Sequence, residues 1–122
     1  MDRDNLDRQT ILVVEGEPLI ALDLQAVLEG AGAEVLVARN AGEAVGRILQ
    51  FTFSAAVVDW RPDSEDHRTT ARALKKRNVR FLFYARHPPE DVTTVRGAPF
   101  LLKPAQPQEI IKALALLIGT GK

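Results

Sequence analysis

Three short apolar runs in this 122-residue chain each end on groups that can do chemistry. Ile11-Leu12-Val13-Val14 runs into Glu15-Gly16-Glu17, Ala55-Ala56-Val57-Val58 into Asp59, and Phe100-Leu101-Leu102 into Lys103-Pro104. If the runs are neighbouring strands, two or three carboxylates and one ammonium share one pocket. Strand ends are often polar because they meet water, and that accounts for any one of these residues. It accounts less well for the set, because Asp59 and Lys103 both sit at the lip of an apolar core.

The elements that must bring these ends together alternate along the chain. Ile11 to Val14 is short and β-branched, the pattern of a strand buried on both faces. Pro18 suits the first turn of a helix, and acid just before it favours the helix N-terminus. Ile20, Leu24, Val27 and Leu28 form its core face, and Gly30 and Gly32 stop it. Residues 34–38 (EVLVA) read as the second strand. Asn40 can cap a helix carrying Ala44, Val45, Ile48 and Leu49. The third strand is read over 53–58, ending at Asp59. Residues 60–66 are a loop with several capping candidates, and 67–77 are helical in propensity. The fourth strand is read over 79–84 and the fifth over 100–102. Pro107 starts a last helix, ended by Gly119.

Five strands alternating with five helical segments predict βαβ crossovers. The expected fold class is α/β: a doubly wound five-stranded parallel sheet, a flavodoxin-like three-layer sandwich. In such a sheet the site lies beyond the carboxyl ends of the strands, where the three charged ends fall. The whole of 1–122 reads as one domain with its core over 10–118, and 1–9 and 119–122 as loose ends.

Composition narrows the function classes. Sixteen basic residues balance sixteen acidic ones, which argues against a nucleic-acid coat or a polybasic membrane anchor. There is no cysteine, which removes disulfides, thiolate catalysis and Cys-ligated zinc. His67 and His87 are the only histidines, and neither has a second histidine at ligand spacing. No apolar run approaches ~18 residues, and the first ten residues are too charged for a secretory signal. The expected setting is the cytoplasm. Arg68, Arg72, Lys75, Lys76, Arg77 and Arg80 read as a solvated face without the aromatics that nucleic-acid binding would need. A hydrolase lacks its Ser-His or Cys-His pair. A flavin carrier on this fold would need a phosphate loop where Glu15-Gly16-Glu17 repels phosphate.

ILVVEGE (11–17), AAVVD (55–59) and FLLKP (100–104) occur in this order, and together they resemble the receiver domains of two-component response regulators. The resemblance covers residues 10–118 and implies a phosphorelay signalling module rather than an enzyme. It implies that Asp59 accepts a phosphoryl group from a histidine kinase, a histidine phosphotransfer protein or a small phosphodonor. It implies that Lys103 holds a phosphoryl oxygen and that the Lys103-Pro104 bond is cis. Glu15 would reach a divalent ion through water, beside Asp59 and the backbone carbonyl of Arg61. Phe100 would be the aromatic switch, paired with the residue closing the fourth strand, Ala85.

Two positions depart from that pattern. The second acidic residue, normally a direct Mg²⁺ ligand, is Gly16, and the usual Ser or Thr closing the fourth strand is Ala85. Mg²⁺ demands near-octahedral oxygen ligation, so a degenerate metal site with weak Mg²⁺ binding is expected. A missing hydroxyl removes a hydrogen bond to a charged group, roughly 1.5–3 kcal/mol. Lower like-charge repulsion compensates, making a metal-free pocket easier to keep. Glu17 is open to two readings, an ion ligand or an N-terminal helix charge. Arg61 is too: a guanidinium swung into the cation position, or a solvated loop residue. Pro88, Pro89 and Pro99 leave room for about two turns of fourth helix between the fourth and fifth strands.

The last helix is apolar over a wide arc through Ile110, Ile111, Leu114, Ala115, Leu117 and Ile118, with Leu116 further round. Deep packing explains that arc. So does a homodimer or partner face shared with the fifth strand. Leu19 and Leu22 add a similar surplus on the first helix, where the family meets its histidine phosphotransfer partners. No effector domain is expected after the last helix, so output would pass through a downstream protein. The alternative function is a phosphorylation-independent receiver-like interaction module. Gly16 and Ala85 favour it; Asp59, Lys103 and Glu15 favour the phosphate-dependent one.

Overall fold

The computed structural model describes residues 5–87 and 98–119. Five parallel strands form one sheet in the order β2-β1-β3-β4-β5. They are β1 (Thr10–Val14), β2 (Glu34–Ala38), β3 (Ala55–Asp59), β4 (Arg80–Ala85) and β5 (Phe100–Leu102). The helices among the described residues are α1 (Pro18–Gly30), α2 (Ala41–Gln50), α3 (Asp66–Lys76) and α4 (Pro107–Gly119). The short helix expected between the fourth and fifth strands falls over 88–97, outside the described residues. None of the helices described is long and apolar enough to cross a membrane.

Alternation along the strands builds two cores. Leu12, Val14, Ala56 and Val58 face one side, where Ala44 and Ile48 of α2 and Ala71 and Leu74 of α3 cover them. Ile11, Val13, Ala55 and Val57 face the other, under Leu24 and Leu28 of α1 and Ile110 and Leu114 of α4. Both faces of the central strands are therefore dry, as their continuous apolar runs require.

Local chemistry sets the helix ends near the site. Pro18 occupies the start of α1, and Glu17 precedes it without a side-chain cap. Gly32 takes φ +102 after α1, where a Cβ would collide with the Asp7 side chain. Asn40 caps α2 by accepting from the Glu43 N–H at 2.9 Å, and Glu43 accepts from the Arg39 N–H at 2.9 Å. Asp66 opens α3 and accepts from the Ala41 N–H at 3.2 Å, tying α3 to α2.

Some boundaries differ from the sequence reading. The third strand starts at Ala55; Phe53 is buried ahead of it, and the Ser54 hydroxyl accepts from the Thr10 N–H at 3.2 Å. Residues 5–9 are not loose. Leu6 is fully buried, and its N–H donates to Ala31 O at 2.9 Å. The last helix uses most of its arc for packing: Ile110, Ile111 and Leu114 are buried and Leu117 and Ile118 are half-buried. Leu116 stays exposed, as does Leu102 on β5.

Candidate functional site at the carboxyl edge of the sheet

Strand register places the three charged ends side by side. Val14 pairs with Val58, Asp59 with Tyr84, and Ala85 with Leu102. Glu15, Asp59 and Lys103 therefore leave the sheet at one edge. The Lys103 N–H donates to Ala85 O at 2.7 Å, and the Lys103-Pro104 bond is cis. The Lys103 ammonium donates to Asp59 Oδ1 at 2.9 Å and pairs with Glu15 Oε1 at 2.9 Å. The contact with Asp59 is an aligned hydrogen bond; the one with Glu15 is an ion pair without that alignment. It also lies 5.5 Å from the centre of the Tyr84 ring.

The three side chains are almost dry, with 7% of Lys103, 1% of Glu15 and 11% of Asp59 exposed. Burial pushes the Glu15 carboxyl above the usual glutamate range, and the Lys103 contact only partly offsets it. For Lys103 burial alone would lower the pKa. The contacts with Asp59 and Glu15 outweigh it and leave the ammonium above the ordinary lysine value. The cluster is thus a charged lysine shared by two carboxyl groups.

The remaining expected residues lie near the ion cluster without joining it. Ala85 ends β4 and is buried, offering only a methyl group. Phe100 packs its edge on Trp60 at 6.0 Å, half-buried in the α2–α3 core. The Arg61 carbonyl already accepts from the Ser64 N–H at 3.4 Å. Its guanidinium leans on Asp63 at 3.9 Å and is half-exposed, so it does not complete the Lys103 cluster. Glu17 sits at the N-terminus of α1, as the second of its two readings has it, and its carboxylate is taken up by an arginine. Both its oxygens accept from Arg86 Nη2, at 3.0 and 2.9 Å, and that contact lowers its pKa.

Two buried side chains, His67 and Thr70, escaped the sequence reading as members of this region. His67 and Thr70 line a cleft with Glu15, Gly16 and Asp59, and the Trp60 ring lies tilted against that of His67, centroids 5.3 Å apart. The His67 nitrogens, Thr70 Oγ1 and Trp60 Nε1 have no hydrogen-bond partner among the described residues. Arg86 also went unread. It lies 69 positions from Glu17, and no local pattern signals such a pair.

No family model matches the sequence. The phyllosphere-induced regulator PhyR of Methylorubrum extorquens is 35% identical over 112 residues, which are 82% of this chain and 40% of that protein. The chain thus spans well under half the length of this curated relative. A response regulator receiver protein from Sinorhizobium medicae superposes with a TM-score of 0.85, at 22% identity, over 97% of this chain and 100% of that one. A response regulator receiver domain from Methanospirillum hungatei gives 0.81 at 23% identity, over 92% and 94%. The receiver domain of a sensor histidine kinase from Pseudomonas aeruginosa gives 0.80 at 22%, over 91% and 98%.

Its fold is that of the response regulator receiver domains.

That Pseudomonas receiver holds a magnesium ion in its active-site cleft. In the present chain the carboxylates at this edge are already engaged. Both carboxylates of the cluster contact the same ammonium. Gly16 supplies no third one, and among the described residues no group of three or more His, Cys, Asp or Glu converges for a metal. A Cβ at position 16 would stand 3.3 Å from Arg39 O, so even a new carboxylate there needs the backbone to give slightly.

Proposed function

We propose that this chain is a response regulator receiver that accepts a phosphoryl group on Asp59 and signals through a partner protein. The observation that carries this reading is the buried hydrogen bond from Lys103 to Asp59 at the carboxyl edge of the sheet. An Asp59 oxygen attacks phosphorus in a phosphohistidine or an acyl phosphate. The new O–P bond forms as the P–N or P–O bond to the donor breaks, and the donor group leaves with that electron pair. Lys103 then holds a phosphoryl oxygen. Such transfer depends on positioning and charge neutralisation, and this cluster supplies one ammonium against two carboxylates. The reaction is accordingly weak and depends little on Mg²⁺.

Phe100 and Ala85 are the proposed switch positions. Phe100 touches Trp60 directly after Asp59, so a shift of the β3–α3 loop would reach it. Leu19 and Leu22 on α1 are 81% and 63% exposed, an apolar face suited to a histidine kinase or histidine phosphotransfer partner. Leu102 and Leu116 offer a second face for an output protein or a homodimer. The proposed setting is the cytoplasm, and the role is that of a signalling module rather than an enzyme.

One observation favours a second reading, an interaction module that works without phosphate. Lys103 is already shared between two carboxylates, which closes the cluster on itself. Incubation with acetyl phosphate, with and without Mg²⁺, followed by intact mass measurement separates the two. One added phosphoryl mass that vanishes in Asp59→Asn supports the receiver. No added mass under either condition supports the phosphate-free module.

A further inference from the structure

A phosphoryl group on Asp59 would replace one negative charge by about two. The cation already in the cluster cannot answer that alone, because Lys103 is divided between Asp59 and Glu15. Ala85 contributes no hydroxyl. The cluster as built therefore has one shared ammonium to set against the added charge.

Arg86 stands at the mouth. It follows the last residue of β4 and lines a cleft together with Asp59 and Lys103. A second cleft, on the α1 side, is lined by Arg86, Lys103, Tyr84 and Leu19. Arg86 thus borders both clefts that meet at Lys103, whereas Arg61 borders only the first of the two and leans on Asp63. The partner of Arg86 is Glu17, and this pair is well exposed, at 60% and 45%. Water and salt screen such a pair, so little holds the guanidinium there. A guanidinium also matches phosphate oxygens with two parallel N–H bonds, which suits a dianion better than a single carboxylate.

We infer that Arg86 is a phosphoryl-binding residue: it leaves Glu17 and holds the phosphoryl group on Asp59, in place of the hydroxyl that Ala85 lacks. Glu17 is then its resting partner and competes with the phosphoryl group for it. This inference rests on the proposed phosphorylation of Asp59.

The test uses the full chain with acetyl phosphate, read by intact mass and by ³¹P NMR. Arg86→Ala should accumulate about tenfold less phosphorylated chain, or lose the group about tenfold faster, for the loss of one charge-assisted contact. Arg86→Lys should recover part of it. Glu17→Gln breaks the same ion pair but frees Arg86, so its phosphorylation should equal or exceed that of the unaltered chain. The ³¹P shift should move in Arg86→Ala and stay in Glu17→Gln. Equal labelling of Arg86→Ala and the unaltered chain overturns the inference and leaves the receiver reading standing. So does an equal drop in both variants, which would make the ion pair structural, or a drop in Arg61→Ala instead. No label on the unaltered chain overturns the receiver reading, and the inference with it.

Discussion

Lys103 Nζ stands 2.9 Å from Asp59 Oδ1, although 44 positions of sequence separate the two residues. The same ammonium neutralises Glu15 at 2.9 Å, so one cation serves two nearly dry carboxyl groups.

Removing that cation should therefore cost more than removing either acid. Lys103→Met leaves two buried carboxylates facing each other and is expected to cost about 3–5 kcal/mol at pH 7. Part of that loss should return on acidification. Glu15 already has a raised pKa from burial, and a group raised in the folded state gains stability as pH falls through that pKa. Glu15→Gln keeps the Lys103–Asp59 bond and should change stability by no more than about 1 kcal/mol. Urea midpoints at pH 7 and pH 4.5 check both. A Lys103→Met midpoint equal to that of the unaltered chain would show that the cluster is far wetter than its burial indicates.

Gly16→Asp should strengthen the divalent-ion response of the chain. The new Cβ meets Arg39 O at 3.3 Å, a tight contact that should cost about 1 kcal/mol. Trp60 is the chain's single tryptophan and follows Asp59, so its emission reports on the loop. Mg²⁺ titrations read by that emission should show a midpoint about tenfold lower in the variant. Identical titrations would show that position 16 does not limit metal binding.

His67 should make the fold sensitive to mild acid. It is buried between Trp60 and Phe83, with ring centroids 5.3 and 5.9 Å away. Burial lowers its pKa and Arg68 adds to that, while Glu65, Asp59 and Asp66 oppose. A histidine lowered in the folded state contributes stability above the unfolded value of about 6.5, and that contribution falls as pH drops from there. The unfolded chain takes the proton first, so the slope reaches at most about 1.4 kcal/mol per pH unit. His67→Phe should flatten the loss of stability between pH 7 and pH 5.5, read as the difference in urea midpoint from the unaltered chain. Parallel slopes in the two proteins would mean that His67 protonates freely in the fold.

What the sequence determined by itself was the layout. Apolar runs of three or four residues, each ending on a charge, are local signals, because a strand packed on both faces leaves no polar position inside it. They placed Glu15, Asp59 and Lys103 at one edge of a parallel sheet, and the register of β1, β3, β4 and β5 agrees. Tertiary structure alone decided which charges pair. Arg86 and Glu17 meet across 69 positions, and Arg61, equally charged and closer in sequence to Asp59, leans on Asp63 instead. The same holds for burial. His67 and Leu6 sit in stretches that read as polar, yet one is enclosed by Trp60 and Phe83 and the other is tied to Ala31. A side chain's solvation and partners depend on what packs over it from elsewhere in the chain, and hydrophobic periodicity carries no record of that.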